Sequence, residues 1–225
     1  MKILFFLIAL FAMLNVEAQS PGIDWQQSLG GSSTDNAFCV RQTSDGGYII
    51  AGSSNSTDGD VSGNHGGADY WIVKLSSAGS IEWQQSLGGS NFDYAYSIVE
   101  TASGQYIVAG YTASSNGDVT GFHGGNDYWI VKLSASGAII WQKCFGGAFY
   151  EGTQSFQQTT DGGFIVAGGS NSSDGDVTAN YGNADYWVIK LDTAGSIVWQ
   201  KNFGGSDYDG AYSVQQTSDG GYIVA

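Results

Sequence analysis

Basic residues, proline and charged residues in general are scarce in this sequence, and each shortage excludes a class of protein. Seven Lys and Arg stand against 21 Asp and Glu, which gives a formal net charge of −14. A nucleic-acid-binding protein needs clustered basic side chains to neutralise phosphates, whereas the basic residues here lie singly along the chain. One proline among 225 residues, without a three-residue glycine period, excludes a collagen-like chain.

Glycine and aromatic residues are abundant. The chain has 35 Gly, 7 Trp, 13 Tyr and 11 Phe, while only 12% of its residues are charged. Intrinsic disorder is excluded because aromatic side chains supply the apolar area that disordered chains lack. A glycine-rich, aromatic-rich and weakly charged composition indicates many short strands joined by tight turns.

The N-terminal segment has the pattern of a secretory signal. Lys2 precedes an apolar run over residues 3–14, and a short polar stretch ends at Ala18. The run is too short to cross a bilayer of about 30 Å as a helix. We predict a signal peptide over residues 1–18, with an uncleaved anchor as the alternative. The mature chain is then secreted or held at the outer cell surface, without membrane insertion after cleavage.

An internal repeat of 58 residues organises the rest of the chain, and it has to be recognised before any single residue is interpreted. The triplet Asp-Tyr-Trp starts at Asp69, Asp127 and Asp185. A Trp-Gln pair starts at Trp25, Trp83, Trp141 and Trp199. The matches lie within one chain, so they report duplication and shared structural demands.

Each repeat contains four segments rich in aromatic and β-branched residues, which predict strands. In the second repeat these segments are residues 105–111, 128–134, 138–146 and 152–159. Asp-Gly-Gly at residues 45–47 and 161–163 predicts hairpin turns, because glycine accepts positive φ. No segment has a helical apolar period, so the repeat is predicted to be a four-stranded antiparallel meander.

The predicted fold class is all-β, as part of a β-propeller. Both alternating faces of Tyr-Trp-Ile-Val-Lys-Leu at residues 70–75 are apolar, as expected for a blade between two blades. A β-solenoid is the alternative, but its coils usually repeat at about 20–30 residues. Within residues 19–225 the repeat predicts a half blade at 24–42, three blades over 43–217 and the start of another at 218–225. The stop inside a strand suggests a piece of a longer protein.

Cys39 and Cys144 are the only cysteines, and an exported protein could pair them. This division of the chain places them in non-adjacent blades. A disulfide needs Cα atoms within about 7 Å, so we predict two isolated thiols.

The repeat string resembles a known group of proteins. It contains Asp-Gly-Asp-Val at residues 58–61, Asp-Tyr-Trp-Ile-Val-Lys-Leu at 69–75 and Asp-Gly-Gly-Tyr-Ile-Val-Ala at 219–225. It is similar to the delta-60 or SBBP-type β-propeller repeats of large secreted bacterial surface proteins. In that group the repeats precede a C-terminal sorting domain for type IX secretion. The resemblance implies a cell-surface location without an assigned activity, and this sequence lacks the sorting domain.

Residues for catalysis are few. His65 and His123 occupy one repeat position, where the third copy has Tyr181. A histidine position that is tyrosine in another copy is more often a structural loop position than a metal ligand or a catalytic base. No Cys lies near His65 or His123 in the sequence to complete a zinc site. The many Asp residues recur in every repeat, whereas an active site is usually built once. We therefore predict no enzyme activity and assign no catalytic, cofactor-binding or metal-ligating residue.

Calcium binding is the open alternative for the acidic loops. The loop at residues 55–64 contains Asp58-Gly59-Asp60, and clustered carboxylates suit hard cations. Its spacing does not match a helical calcium loop, because His65 stands where the bidentate Glu belongs. The favoured interpretation is that these side chains cap turns by bonding nearby backbone.

The recurring tryptophans predict core. Trp71, Trp129 and Trp187 lie mid-strand among aliphatic residues, which favours packing between blades over a sugar-binding platform. The better ligand surface is the loop at residues 64–68 with its equivalents, gathered on one rim of a rigid scaffold.

The favoured function is therefore a secreted, non-enzymatic interaction or structural module, with an unidentified protein or glycan partner. A carbohydrate-binding, lectin-like propeller is one alternative. The non-catalytic part of a larger secreted hydrolase is the other.

Overall fold

A computed structural model describes residues 22–225, so the predicted signal at residues 1–18 lies outside the described part of the chain. The described residues form fourteen β-strands and no helix. The strands are β1 Asp35–Gln42, β2 Tyr48–Ser54, β3 Asp69–Leu75, β4 Ile81–Leu87, β5 Asp93–Glu100, β6 Tyr106–Thr112, β7 Asp127–Leu133, β8 Ile139–Phe145, β9 Glu151–Gln158, β10 Phe164–Ser170, β11 Asp185–Leu191, β12 Ile197–Phe203, β13 Val214–Gln216 and β14 Tyr222–Val224. Between residues 22 and 225 there is accordingly no apolar helix of membrane-spanning length.

The strands form three antiparallel four-stranded sheets and one two-stranded sheet, each in chain order. The first sheet is β1–β4, the second β5–β8, the third β9–β12, and β13 pairs with β14 alone. Successive sheets pack face to face, and residues 22–225 form no closed ring of sheets. The all-β class and the four-stranded antiparallel meander are confirmed.

The grouping of strands differs from the predicted one by one strand. Residues 152–159, predicted to close the second blade, fall in β9, which pairs with β10 and begins the third sheet. Likewise the strand near Phe38 belongs to a complete first sheet rather than to a half blade at 24–42, and no strand forms around Trp25.

The strands group in this way because consecutive strands are joined by two different kinds of link. A tight turn joins β1 to β2, with Gly46 at φ 84° and the Gly47 amide donating to the Asp45 carboxylate at 2.9 Å. The link from β4 to β5 is instead held by the next sheet, since the Ser90 amide donates to the Asn116 side chain at 2.9 Å and the Asn91 amide to the Ser114 hydroxyl at 3.0 Å. The chain therefore changes sheet at this second link.

The core lies between successive sheets. Trp129 packs between the first and second sheets, Trp187 packs between the second and third, and both are fully buried. Trp71 is buried on the outer face of the first sheet, beside Leu29 and Ile50. The prediction of packing between blades is confirmed for Trp129 and Trp187, whereas Trp71 is buried within the first sheet's own cluster.

One aromatic contact recurs at both junctions between four-stranded sheets. The Tyr70 hydroxyl donates to the Trp129 carbonyl at 2.9 Å, and the two rings lie 4.5 Å apart. The Tyr128 hydroxyl donates to the Trp187 carbonyl at 3.0 Å, with the rings 4.7 Å apart. The first and second sheets thus each provide a tyrosine that docks on the tryptophan of the next sheet.

Both cysteines are free, as predicted, although the reason given by the predicted grouping is wrong. Cys39 lies in β1 and Cys144 in β8, so they belong to adjacent sheets and pack against the same cluster. The Cys39 thiol lies 4.0 Å from the Ile98 carbonyl of the second sheet. The two thiols therefore share one junction without a disulfide.

Candidate functional site

The predicted loop at residues 64–68 lies between β2 and β3, at the end of the first sheet where β3 begins. His65 is anchored there by Asp69, the first residue of β3. The His65 backbone amide donates to Asp69 Oδ2 at 2.7 Å, and His65 Nδ1 lies 2.7 Å from the same oxygen. The imidazole is therefore oriented by a carboxylate whose side chain is fully buried.

The Nε2 edge of this imidazole points toward the second sheet. His65 Nε2 lies 3.8 Å from Asp118 Oδ2, and Asp118 in turn accepts the Gly88 amide at 3.2 Å. His123 repeats the arrangement with Asp127 at 2.8 Å and Asp176 at 3.8 Å. Each histidine bridges a carboxylate of its own sheet and one of the next.

These histidines line two polar grooves between neighbouring sheets. The first groove has a volume of about 540 Å³ and includes Ser62, His65, Gln84 and Asp118. The second has a volume of about 340 Å³ and includes the equivalent residue His123. Within the described part of the chain, no hydroxyl or thiol hydrogen-bonds to either imidazole. A nucleophile–base pair is therefore not assembled in these grooves.

Tyr181, the third copy, shows which part of the arrangement the loop needs. Its backbone amide also donates to the carboxylate at the start of the next strand, Asp185. The backbone bond is thus kept without an imidazole, so the ring is dispensable for the loop conformation.

The acidic loops bind backbone amides. Asp58 accepts the Ser32 amide at 2.7 Å and Asp60 accepts the Gly30 amide at 3.1 Å. The Ser32 amide also lowers the pKa of Asp58. Asp174 accepts the Ala148 amide at 2.9 Å in the third sheet. Over residues 22–225, no three His, Cys, Asp or Glu side chains converge in a geometry that could hold a metal ion.

A pair of buried carboxylates stands at each junction. A Cβ added to Gly146 would lie 2.5 Å from both Asp127 Oδ1 and Glu151 Oε2, so these two acids flank the same glycine. Burial raises the pKa of Asp127 to about 6, and the neighbouring Glu151 contributes. Asp69 and Asp93 form the equivalent pair, and burial raises the pKa of each.

Paired carboxylates with separated pKa values can perform acid–base chemistry when a substrate reaches them. Asp69, Asp93, Asp127 and Glu151 all have no exposed surface. Thr112 and Ser114 donate to Asp93, and Ser170 donates to Glu151 at 2.7 Å. These pairs are part of the junctions between sheets and are closed to substrate.

An aromatic surface is the feature that sequence reasoning missed. We define it by Phe38, Tyr94, Tyr96, Tyr111 and Tyr150. It runs from β1 of the first sheet across β5 and β6 of the second to the start of the third. Further exposed aromatic side chains of the same region of the fold are Phe92, Tyr208 and Tyr212.

Two rings of the aromatic surface, Tyr94 and Tyr111, have no aromatic counterpart in the other copies, whereas Phe38 and Tyr96 share one repeat position and Tyr150 corresponds to Phe92. At the position of Tyr94 the other copies have Asn36 and Gly152, and at the position of Tyr111 they have Ser53 and Gly169. A search for residues that are shared by all copies does not find Tyr94 and Tyr111. The signal that could have revealed it is the combination of recurring aromatic residues, such as Phe38 and Tyr96, with Tyr94 and Tyr111, which lie in the paired strands β5 and β6.

No protein-family model matches the chain, and no curated protein matches it.

Proposed function

We propose that the chain is a secreted, non-enzymatic binding or structural module built as part of a β-propeller. The observation that carries this proposal is the contrast between two sets of residues. The polar residues that recur in each copy are used in contacts within and between sheets, whereas the aromatic surface is partly exposed and two of its rings, Tyr94 and Tyr111, have no aromatic counterpart in the other copies. Loops and edges on a rigid repeated scaffold are where binding usually occurs.

The propeller architecture is supported by the regularity of the sheets. Each complete sheet is a four-stranded antiparallel meander, and the same Tyr–Trp contact joins the first to the second and the second to the third. Four-stranded sheets that pack face to face in chain order are the building unit of a propeller. A complete ring of such 58-residue units is the arrangement that we propose.

A non-enzymatic role is supported by the state of the residues that could catalyse. The imidazoles of His65 and His123 each lie between two carboxylates, without a nucleophile in contact among the described residues. The carboxylate pair Asp127 and Glu151 is enclosed. Groups arranged in this way stabilise the junctions.

Secretion rests on the sequence pattern of residues 1–18, and the bacterial cell surface rests on the resemblance to delta-60 and SBBP-type repeats. The net charge of −14 agrees with a partner that is neither a nucleic acid nor an acidic membrane. A lectin-like propeller is the second candidate, and the observation that favours it is the aromatic surface.

The test is expression of the full chain in an exporting bacterium. The expected results are an intact mass that begins directly after Ala18, no turnover on a panel of ester, glycoside and peptide substrates, and a saturable ligand on glycan or protein arrays. An uncleaved cytoplasmic protein would contradict secretion. Turnover that His65→Gln or His123→Gln abolishes would contradict the non-enzymatic role.

A further inference from the structure

We infer that the aromatic surface is a binding site for a neutral oligosaccharide, with Tyr94, Tyr96 and Tyr111 as its stacking platform. This inference rests on the proposed function as a binding module and names the ligand class and the residues. Aromatic faces suit the apolar faces of pyranose rings, while tyrosine hydroxyls suit the hydroxyl groups at their edges.

The geometry is that of a continuous surface. The rings of Phe38 and Tyr96 lie 4.9 Å apart, those of Tyr96 and Tyr111 5.9 Å apart, and those of Tyr111 and Tyr150 6.3 Å apart. Tyr94 adds a ring 5.4 Å from Tyr111. Because the rings come from three successive sheets, the surface is long enough for several sugar units rather than one.

The rings are fixed in place and remain accessible. Phe38 is 45% exposed and Tyr150 is 43% exposed, while Tyr94, Tyr96 and Tyr111 are half-buried. Burial raises the pKa of Tyr96 and of Tyr111, so both hydroxyls stay neutral at physiological pH and can donate as well as accept hydrogen bonds. A site that is rigid before binding loses less conformational freedom when its ligand arrives.

Two residues of this surface, Tyr94 and Tyr111, differ between the copies and so can be separated from the scaffold. The docking tyrosines Tyr70 and Tyr128 occupy one repeat position, which is tyrosine in all three copies. Tyr94 and Tyr111, by contrast, are replaced by Asn36 and Ser53 in the first sheet, which folds in the same way. The fold therefore does not require Tyr94 and Tyr111, which extend the partly exposed aromatic residues Phe38, Tyr96 and Tyr150 into a continuous cluster. An exposed aromatic cluster larger than the fold requires points to a ligand.

Charge selects the ligand class. Within residues 22–225, Lys74, Lys143 and Lys190 make their side-chain contacts with Asp45 and Glu82, with Ser196 and with Asp161, and none of these contacts involves the aromatic surface. An anionic ligand would find no counter-charge on a chain with a net charge of −14. A neutral glycan needs none, because stacking and hydroxyl hydrogen bonds provide its affinity.

The test is isothermal titration of the protein with cellohexaose, laminarihexaose and mannohexaose, with a heparin-derived hexasaccharide as the anionic control. Two variants copy the first sheet, Tyr94→Asn and Tyr111→Ser, so the scaffold tolerates them. The matched control is Tyr181→Ser, which removes an exposed tyrosine outside the aromatic surface. We expect at least one neutral hexasaccharide to bind the unmodified protein. Its affinity for Tyr94→Asn and for Tyr111→Ser should each be lower by about tenfold or more. Binding to Tyr181→Ser should stay within about twofold.

Two results would overturn the inference. One is the absence of binding to every neutral hexasaccharide, and the other is binding that Tyr94→Asn and Tyr111→Ser leave unchanged. If a protein ligand binds instead and loses affinity for Tyr111→Ser, the glycan is wrong while the proposed binding module stands. If neither glycan nor protein arrays yield a ligand, the glycan site and the binding role are both wrong, and only the structural role stands.

Discussion

The Tyr70 hydroxyl donates to the Trp129 carbonyl across the junction between the first and second sheets, at 2.9 Å. The tyrosine comes from β3 and the tryptophan from β7, so the bond joins strands that belong to different hairpins. The same bond joins Tyr128 to Trp187 one sheet later. Stacking of the sheets therefore depends on a directional contact as well as on apolar burial.

Removal of this hydroxyl tests its contribution to stability. Tyr70→Phe and Tyr128→Phe each leave a buried carbonyl without that donor, which should lower the free energy of unfolding by about 1–2 kcal/mol. Tyr186→Phe is the matched control, because its hydroxyl has no hydrogen-bond partner within residues 22–225. Urea denaturation followed by tryptophan fluorescence measures all three. Equal losses in the three variants would mean that the bond is not responsible.

The glycine pairs that precede each new sheet differ in how much space is left for a side chain. A Cβ on Gly147 would lie 2.3 Å from Asp174 Oδ1 and 2.7 Å from the Asp174 carbonyl, whereas nothing lies within 4 Å of the equivalent position at Gly205. Gly147→Ala should therefore cost about 1–3 kcal/mol through overpacking, and Gly205→Ala less than about 0.5 kcal/mol. Thermal unfolding of the two variants measures the difference, and similar melting temperatures would refute it.

The buried acid Asp127 should make stability depend on pH. Its pKa of about 6 lies above the value of about 4 for an unfolded aspartate, so the native state binds more protons between these values. Its contribution is therefore most favourable below about pH 4 and is lost as the pH rises through 6. His123 and Glu151 are the titratable groups that face it.

Asp127→Asn removes this titration. Between pH 4 and pH 6.5, the variant should lose on the order of 1–2 kcal/mol less unfolding free energy than the unmodified protein. Asp24→Asn, at an exposed position, should leave the slope unchanged. Urea denaturation at five pH values would measure the slopes, and parallel curves for Asp127→Asn and the unmodified protein would refute the assignment.

The two thiols should differ in reactivity. Burial raises the pKa of the Cys144 thiol, so little thiolate forms at neutral pH, while Cys39 is only half-buried. We expect a disulfide-exchange reagent to modify Cys39 slowly in the native protein and Cys144 only after denaturation. Mass spectrometry of native and denatured samples identifies the modified residue. Rapid native modification of Cys144 would show that the junction opens.

The sequence allowed most of the scaffold to be predicted, because local chemistry determines it. Asp45-Gly46-Gly47 specifies a turn by its own residues, and the apolar faces around Trp129 specify burial. The sheet boundary was misplaced because the loop after β4 is held by Asn116 and Ser114, which lie far along the chain. Both the Asp-Gly-Gly turn and the link after β4 are rich in glycine and recur in each copy. The repeat alone therefore does not show at which of the two the chain passes from one sheet to the next.

The predicted rim was only partly informative about the site. His65 and its loop do lie where neighbouring sheets meet, but they are used in contacts between sheets. The aromatic surface depends on Tyr94 and Tyr111, which diverge from their counterparts and come together only through strand pairing. A pattern built on recurrence favours the scaffold over the residues that distinguish one copy from another.

The most direct test of the central claim is an amide NMR titration of the isotope-labelled protein with the neutral hexasaccharide that binds most tightly. The account predicts that the largest chemical-shift changes fall on Tyr94, Tyr96 and Tyr111, with small changes around His65 and His123. Changes that centre on the histidine grooves, or no changes at saturating hexasaccharide, would contradict it.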